Sequence, residues 1–112
     1  MAPLPEIIHL NVGGTLFTTR LETLRKYPSS KLGDMFSGYG HPPKDKDGCF
    51  FIDKSGQYFD HILEFLRDDS YLPPVDIVKA VIRDALYFGL KEWSEVRRRS
   101  DTVVVLTIND AN

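Results

Sequence analysis

The chain has 112 residues, 42% of them hydrophobic and 27% charged, the size and composition of one globular domain with a modest core. A net charge of −2 and a pI near 5.9 supply no basic field, so nucleic acid is not an expected partner. A single cysteine, Cys49, excludes an internal disulfide; with no apolar run of the ~18–20 residues that span a bilayer and no signal-peptide pattern in MAPLPEIIHL, a soluble cytoplasmic chain without membrane insertion is expected.

Residues 1–6 form a short proline-containing lead. From Ile7 to Val12 the pattern alternates, with Ile8, Leu10 and Val12 on one face, as in a half-buried strand. Gly13-Gly14 suits a two-residue hairpin turn, whose central residues need positive φ, and Leu16-Phe17-Thr18 resumes the extended pattern. Thr19 and Glu22 have capping-box spacing, which predicts a short helix through Leu24 and Tyr27, stopped by Pro28. Ser29-Ser30 can cap a second helix over KLGDMF. GYGHPPKDKDG reads as a loop, and Cys49 to Ile52 as a third strand.

A longer amphipathic helix is predicted from near Gly56, because Phe59, Ile62, Leu63 and Leu66 repeat at i, i+3, i+4, i+7. After Pro73-Pro74, VDIVKAVIRDALYF places Val78, Val81, Ile82, Ala85 and Leu86 on one stripe, with Gly89 as its C-cap. KEWSEVRRR is predicted as a further helix, in which Arg97-Arg98-Arg99 suits a solvated C-terminus. The run TVVVLTI, residues 102–108, is strand-like; it is expected to pair with another strand, in this or a neighbouring subunit, with the start of a further domain or a disordered remnant as the alternatives.

The ordered tags LNVGG, F-T-T, MFSG, FFID-x-x-G-x-x-F and ILxFLR make residues 7–96 resemble the BTB/POZ domain of potassium-channel tetramerisation-domain (KCTD) proteins. The resemblance implies an α/β (α+β) fold, a small three-stranded sheet with about five surrounding helices, over residues 7–99; residues 100–112 would add a C-terminal strand or tail. It implies a homo-oligomeric ring, a pentamer or alternatively a tetramer. It further implies a substrate-receptor adaptor of a cullin-3 ubiquitin ligase. The alternative is an oligomeric scaffold or auxiliary subunit of a membrane receptor or channel that does not bind cullin.

Several residue types could carry chemistry, but their spacing does not support it. Gly13-Gly14 is neither G-x-G-x-x-G nor a G-K-[ST] loop. His9, His41 and His61 have no paired cysteine or His-x-x-x-His spacing, so neither a metal site nor a cofactor is expected, and the inter-subunit zinc site of many channel relatives looks absent. Ser29, Ser30, Ser37 and Cys49 lie in no nucleophile elbow, and a non-catalytic protein is expected.

Tyr87 stands apart. At 100° per residue it lies nearly opposite the apolar stripe of its helix, where an aromatic suits a protein contact. In relatives that bind cullin 3, an aromatic at what looks like the matching position faces cullin. The resemblance makes the loop after MFSG, including Tyr39 and His41, the second candidate cullin contact; where many BTB proteins carry hydrophobic-x-Glu, this chain reads Tyr39-Gly40-His41. Arg20, Arg25, Asp53, Lys54 and Arg67 sit in or beside the family motifs and are the candidates for a polar oligomer interface.

Overall fold

The computed structural model describes residues 3–91. A three-stranded sheet in the order β2-β1-β3 carries β1 (Ile7–Val12) at its centre, antiparallel to β2 (Thr15–Arg20) and parallel to β3 (Phe50–Ile52). The alternation read in β1 is realised: Ile8, Leu10 and Val12 are fully buried. Pairing Leu10 with Phe17 and Ile8 with Thr19 places Phe17 and Thr19 on the same inner face. Gly13 and Gly14 adopt φ of 59° and 101°, so both central residues of the hairpin have the positive φ of a primed turn. The Asn11 side chain accepts from the Gly14 N–H at 2.7 Å and donates to Asp45 at 2.8 Å, tying the hairpin to the loop before β3.

The capping box at Thr19 and Glu22 does not form. The sheet extends through Arg20, which becomes the N-cap of α1 (Leu21–Leu24) without a side-chain cap, and the Leu21 N–H donates to the Glu6 carbonyl at 2.8 Å instead. Pairing with β1 outweighs the local signal. The helix also ends at Leu24, short of Tyr27, because the chain turns there and the Ser30 N–H bonds the Tyr27 carbonyl. Ser30 then caps α2 (Lys31–Met35) as expected, its Oγ accepting from the Gly33 N–H at 2.9 Å.

Cys49 was expected inside the third strand but precedes it. The Asp45 carboxylate gathers the N–H groups of Asp47 and Cys49, each at 2.9 Å, and holds a turn that delays β3 to Phe50. Lys44 bridges Phe50 and the Phe51 N–H bonds Pro43, so this loop covers part of the outer edge of β3.

The amphipathic helix α3 (Phe59–Arg67) buries Phe59, Ile62, Leu63 and Leu66 as predicted, and Phe65 as well. Phe59 packs against Phe17 and Phe88 at centroid distances of 5.2 and 5.4 Å, joining sheet, α3 and the segment after α4 (Val78–Tyr87). Helix α4 buries Val78, Val81, Ile82 and Ala85, but Leu86, expected on that stripe, is 49% exposed. Leu86 lies at the margin of the apolar arc, and the buried position on the far side of the arc is taken by Asp84. Gly89, at φ 72°, closes α4 with a Schellman pair, Leu90 N–H to Ala85 and Gly89 N–H to Leu86.

The fold is therefore mixed α and β with a three-stranded sheet and four helices among the described residues. The further helix and the strand expected over 91–99 and 102–108 lie almost wholly outside those residues. No described helix is long and apolar enough to cross a membrane.

Candidate functional site

The side chain of Asp84 is 7% exposed and meets the Lys54 ammonium at 3.4 Å. Lys54 also stands over the Tyr87 ring, 4.8 Å from its centroid, and Lys31 stands over the same ring at 3.9 Å. Each cation–π contact contributes about 0.5–1 kcal/mol at such a partly exposed site. Two ammonium groups near one ring repel each other, and the Asp84 carboxylate offsets one of them. Tyr87 remains 41% exposed while fixed in place, its ring also edge-on to buried Phe88 at 5.1 Å. The chain positions these groups through three backbone elements. Lys31 opens α2, Lys54 follows β3, and Asp84 and Tyr87 share a face of α4 at i, i+3. The Leu32 N–H to Phe88 carbonyl bond, at 3.1 Å, stitches α2 to the end of α4 beneath them.

The other cullin candidates lie on the neighbouring surface. Tyr39, 92% exposed, and His41 line an open groove of about 490 Å³ together with Asp34, Met35, Phe51 and Asp53. His41 is held by Phe50, edge-on at 5.2 Å, and by the Pro42 carbonyl at 2.7 Å. Helix α2 connects groove and aromatic: Lys31 at one end touches Tyr87, and Met35 at the other lines the groove. The segment Asp53-Lys54 does the same from β3. Helix α2 and the segment after β3 thus each reach both the Tyr87 cluster and the groove of Tyr39 and His41.

The polar residues considered for an oligomer interface do not gather in one place. Asp53 and Lys54 belong to the surface just described. Arg20 pairs with Glu6 and Glu22, each at 3.0 Å, on the exposed end of β2. Arg67 pairs with Glu64 at 3.1 Å and reaches Thr18 and Thr19 at 3.4 Å. These two arginines flank a second open groove with Ile7, Thr23, Lys26 and Leu66. Arg25 donates from Nε to the Phe36 carbonyl and, half-buried, lines a further open groove with Arg20, Glu6 and Glu22.

Lys31 and Asp84 are the members of the aromatic site that sequence reasoning passed over. Asp84 lies about 60° beyond Val81 on the helix, outside the predicted stripe, so only the packing of α4 showed it to be buried and in need of a cation partner. Nothing local pointed to Lys31, since only the packing of α2 on the end of α4 brings it to Tyr87. Partial burial and then the charges of Asp45 and Asp47 push the Cys49 thiol pKa up, which disfavours thiolate. No cluster of three or more His, Cys, Asp or Glu among the described residues could hold a metal.

A family model described as BTB/POZ domain matches residues 8–96. Human BTB/POZ domain-containing protein KCTD14 is 42% identical over 85 residues, which cover 76% of this chain and 32% of that protein. Potassium channel regulatory protein is 40% identical over 87 residues in mouse and 41% over 87 residues in cattle, covering 76% of this chain and 33% of either relative. The chain spans about a third of the length of these curated relatives. The sheet order, the hairpin glycines and the α3 stripe agree with this match over most of the sequence: the chain belongs to the BTB/POZ family, as a domain of the KCTD type and hence a protein-interaction module.

Proposed function

We propose that this domain assembles into a closed homo-oligomeric ring in the cytosol, five copies with four the alternative, and docks cullin 3 as the receptor side of a ubiquitin ligase. It carries no bond-making chemistry itself. The observation that supports docking is Tyr87, 41% exposed yet held between Lys31 and Lys54. Rigid, partly exposed aromatics beside charged groups are typical anchors of protein contacts. A ring built from one repeated heterologous contact closes on itself, and its several copies raise the effective concentration of whatever is bound.

Titration calorimetry with the cullin-3 N-terminal domain tests the docking reading. Wild type should bind and Tyr87→Ala should weaken binding by about 2 kcal/mol, the threshold of an interface hot spot. No heat from wild type overturns it. Light scattering should report five or four copies, and a monomer at micromolar concentration overturns the ring.

A second reading, an oligomeric regulator of a membrane channel without cullin binding, is favoured by one observation: the mouse and cattle proteins similar to this chain are called potassium channel regulatory proteins. A ring that gives no heat with cullin would point there.

A further inference from the structure

We propose that the outward face of α4 recognises an acidic protein segment, one that brings carboxylates to Lys31, Lys79 and Arg83 and an apolar side chain to Leu86 and Tyr87. The proposal rests on the reading of the Tyr87 surface as the docking surface, and it adds the chemistry of what docks there.

The exposed arc of α4 carries the argument. At 100° per residue, Leu86, Lys79, Arg83 and Tyr87 fall in that order within one arc of about 100°. All four are exposed, whereas Val78, Val81, Ile82 and Ala85 fill the buried arc. Lys79 and Arg83 are four apart, and like charges at that spacing disfavour a helix. A helix that merely faced water would gain from a glutamate at such a position. The one carboxylate within α4, Asp84, is buried and already engaged with Lys54. Neither Lys79, Arg83 nor Lys31 has a carboxylate within ion-pair distance among the described residues. Among the described residues, then, three cations without a carboxylate partner surround two exposed apolar side chains, on a chain whose net charge is −2. A local basic field on an acidic protein selects by charge complementarity rather than by general attraction. The exposed Leu86 and Tyr87 favour a protein, which can supply an apolar anchor between its carboxylates.

The test uses the full chain and a labelled helical peptide with glutamate at i, i+4 and i+7 and leucine at i+3, followed by fluorescence anisotropy. Wild type should bind it, and a version with lysine for every glutamate should not bind. The triple variant Lys31→Gln/Lys79→Gln/Arg83→Gln should weaken binding by about tenfold, as expected from three partly screened charge contacts. Binding should also fall as salt rises from ~50 to ~300 mM. The three substitutions are on exposed side chains, and a cooperative melt within about 8 °C of wild type, the shift that loss of the Lys31 contact allows, confirms an intact fold. Equal binding by wild type and the triple variant, or no binding of the glutamate peptide, overturns the proposal. So does stronger association with phosphatidylserine vesicles than with the peptide, which would make the surface a membrane contact. The cullin titration keeps the two readings apart. Undiminished cullin binding by the triple variant sinks the acidic-segment proposal alone. Charge-dependent peptide binding with no cullin binding sinks the cullin reading alone.

Discussion

Replacing Gly89 by alanine should destabilise the domain at the joint that holds Tyr87 against Lys31. Gly89 sits at φ 72°, and an added Cβ would lie 2.8 Å from the backbone nitrogen of Lys31. The left-handed conformation costs an L-residue about 1–2 kcal/mol. Backbone cannot swing aside as a side chain does, so α2 must shift and strain the Leu32 N–H to Phe88 carbonyl bond of 3.1 Å. That bond contributes about 0.5–1.5 kcal/mol net. Alanine restricts the unfolded chain, which offsets about 0.4–1 kcal/mol. The sum is a loss of about 0.5–3 kcal/mol, centred near 2. Urea unfolding at fixed protein concentration measures it, since assembly shifts apparent stability by mass action. With a slope of about 1–3 kcal/mol per molar urea, the midpoint should fall by about 1 M with the slope unchanged. Gly40→Ala is the control: a Cβ there meets nothing within 4 Å. Equal midpoints for Gly89→Ala and Gly40→Ala would refute the reasoning, because both the conformation and the contact distinguish the two sites.

Phe59→Ala should cost about 3–5 kcal/mol in the same assay, since Phe59 is 1% exposed and wedged between Phe17 and Phe88. Ser30→Ala should cost about 1 kcal/mol in the same assay by removing the cap of α2. Lys54→Ala leaves buried Asp84 without its cation; it should destabilise more than the double replacement Lys54→Met/Asp84→Leu, and the reverse order would show the pair to be dispensable. Asp45 has its pKa lowered, first by the Asn11 hydrogen bond and then by backbone N–H groups of the loop, partly opposed by desolvation. A depressed carboxylate stabilises the fold above its unfolded pKa, and that contribution is lost as pH falls through the lower folded value. Acid titration of stability should therefore be flatter below pH ~4 in Asp45→Asn than in wild type.

Periodicity carried most of the fold. The alternation of β1, the hairpin glycines, the Ser30 cap and the α3 stripe are short-range patterns, and each is set by a backbone geometry that one segment imposes on itself. The readings that failed lay where two segments compete. Thr19 has the spacing of a helix cap, yet its pairing with Ile8 keeps it in the sheet. Cys49 has strand neighbours, yet the Asp45 carboxylate takes its N–H first. Leu86 fits a helical stripe, but the core reaches only part of the way around α4 and leaves it 49% exposed.

The same division applies to the surface. From helix geometry alone, Tyr87 could be placed off the core face, because the angle of a residue on a helix depends only on its number. Its surroundings depended on chain segments more than thirty residues away in sequence. Lys31 and Lys54 arrive at its ring only when α2 and the end of β3 pack beside α4. Local spacing determined the elements and the direction of Tyr87. The tertiary packing decided which charges stand beside it, because contacts between distant segments follow from how the buried faces close on one another.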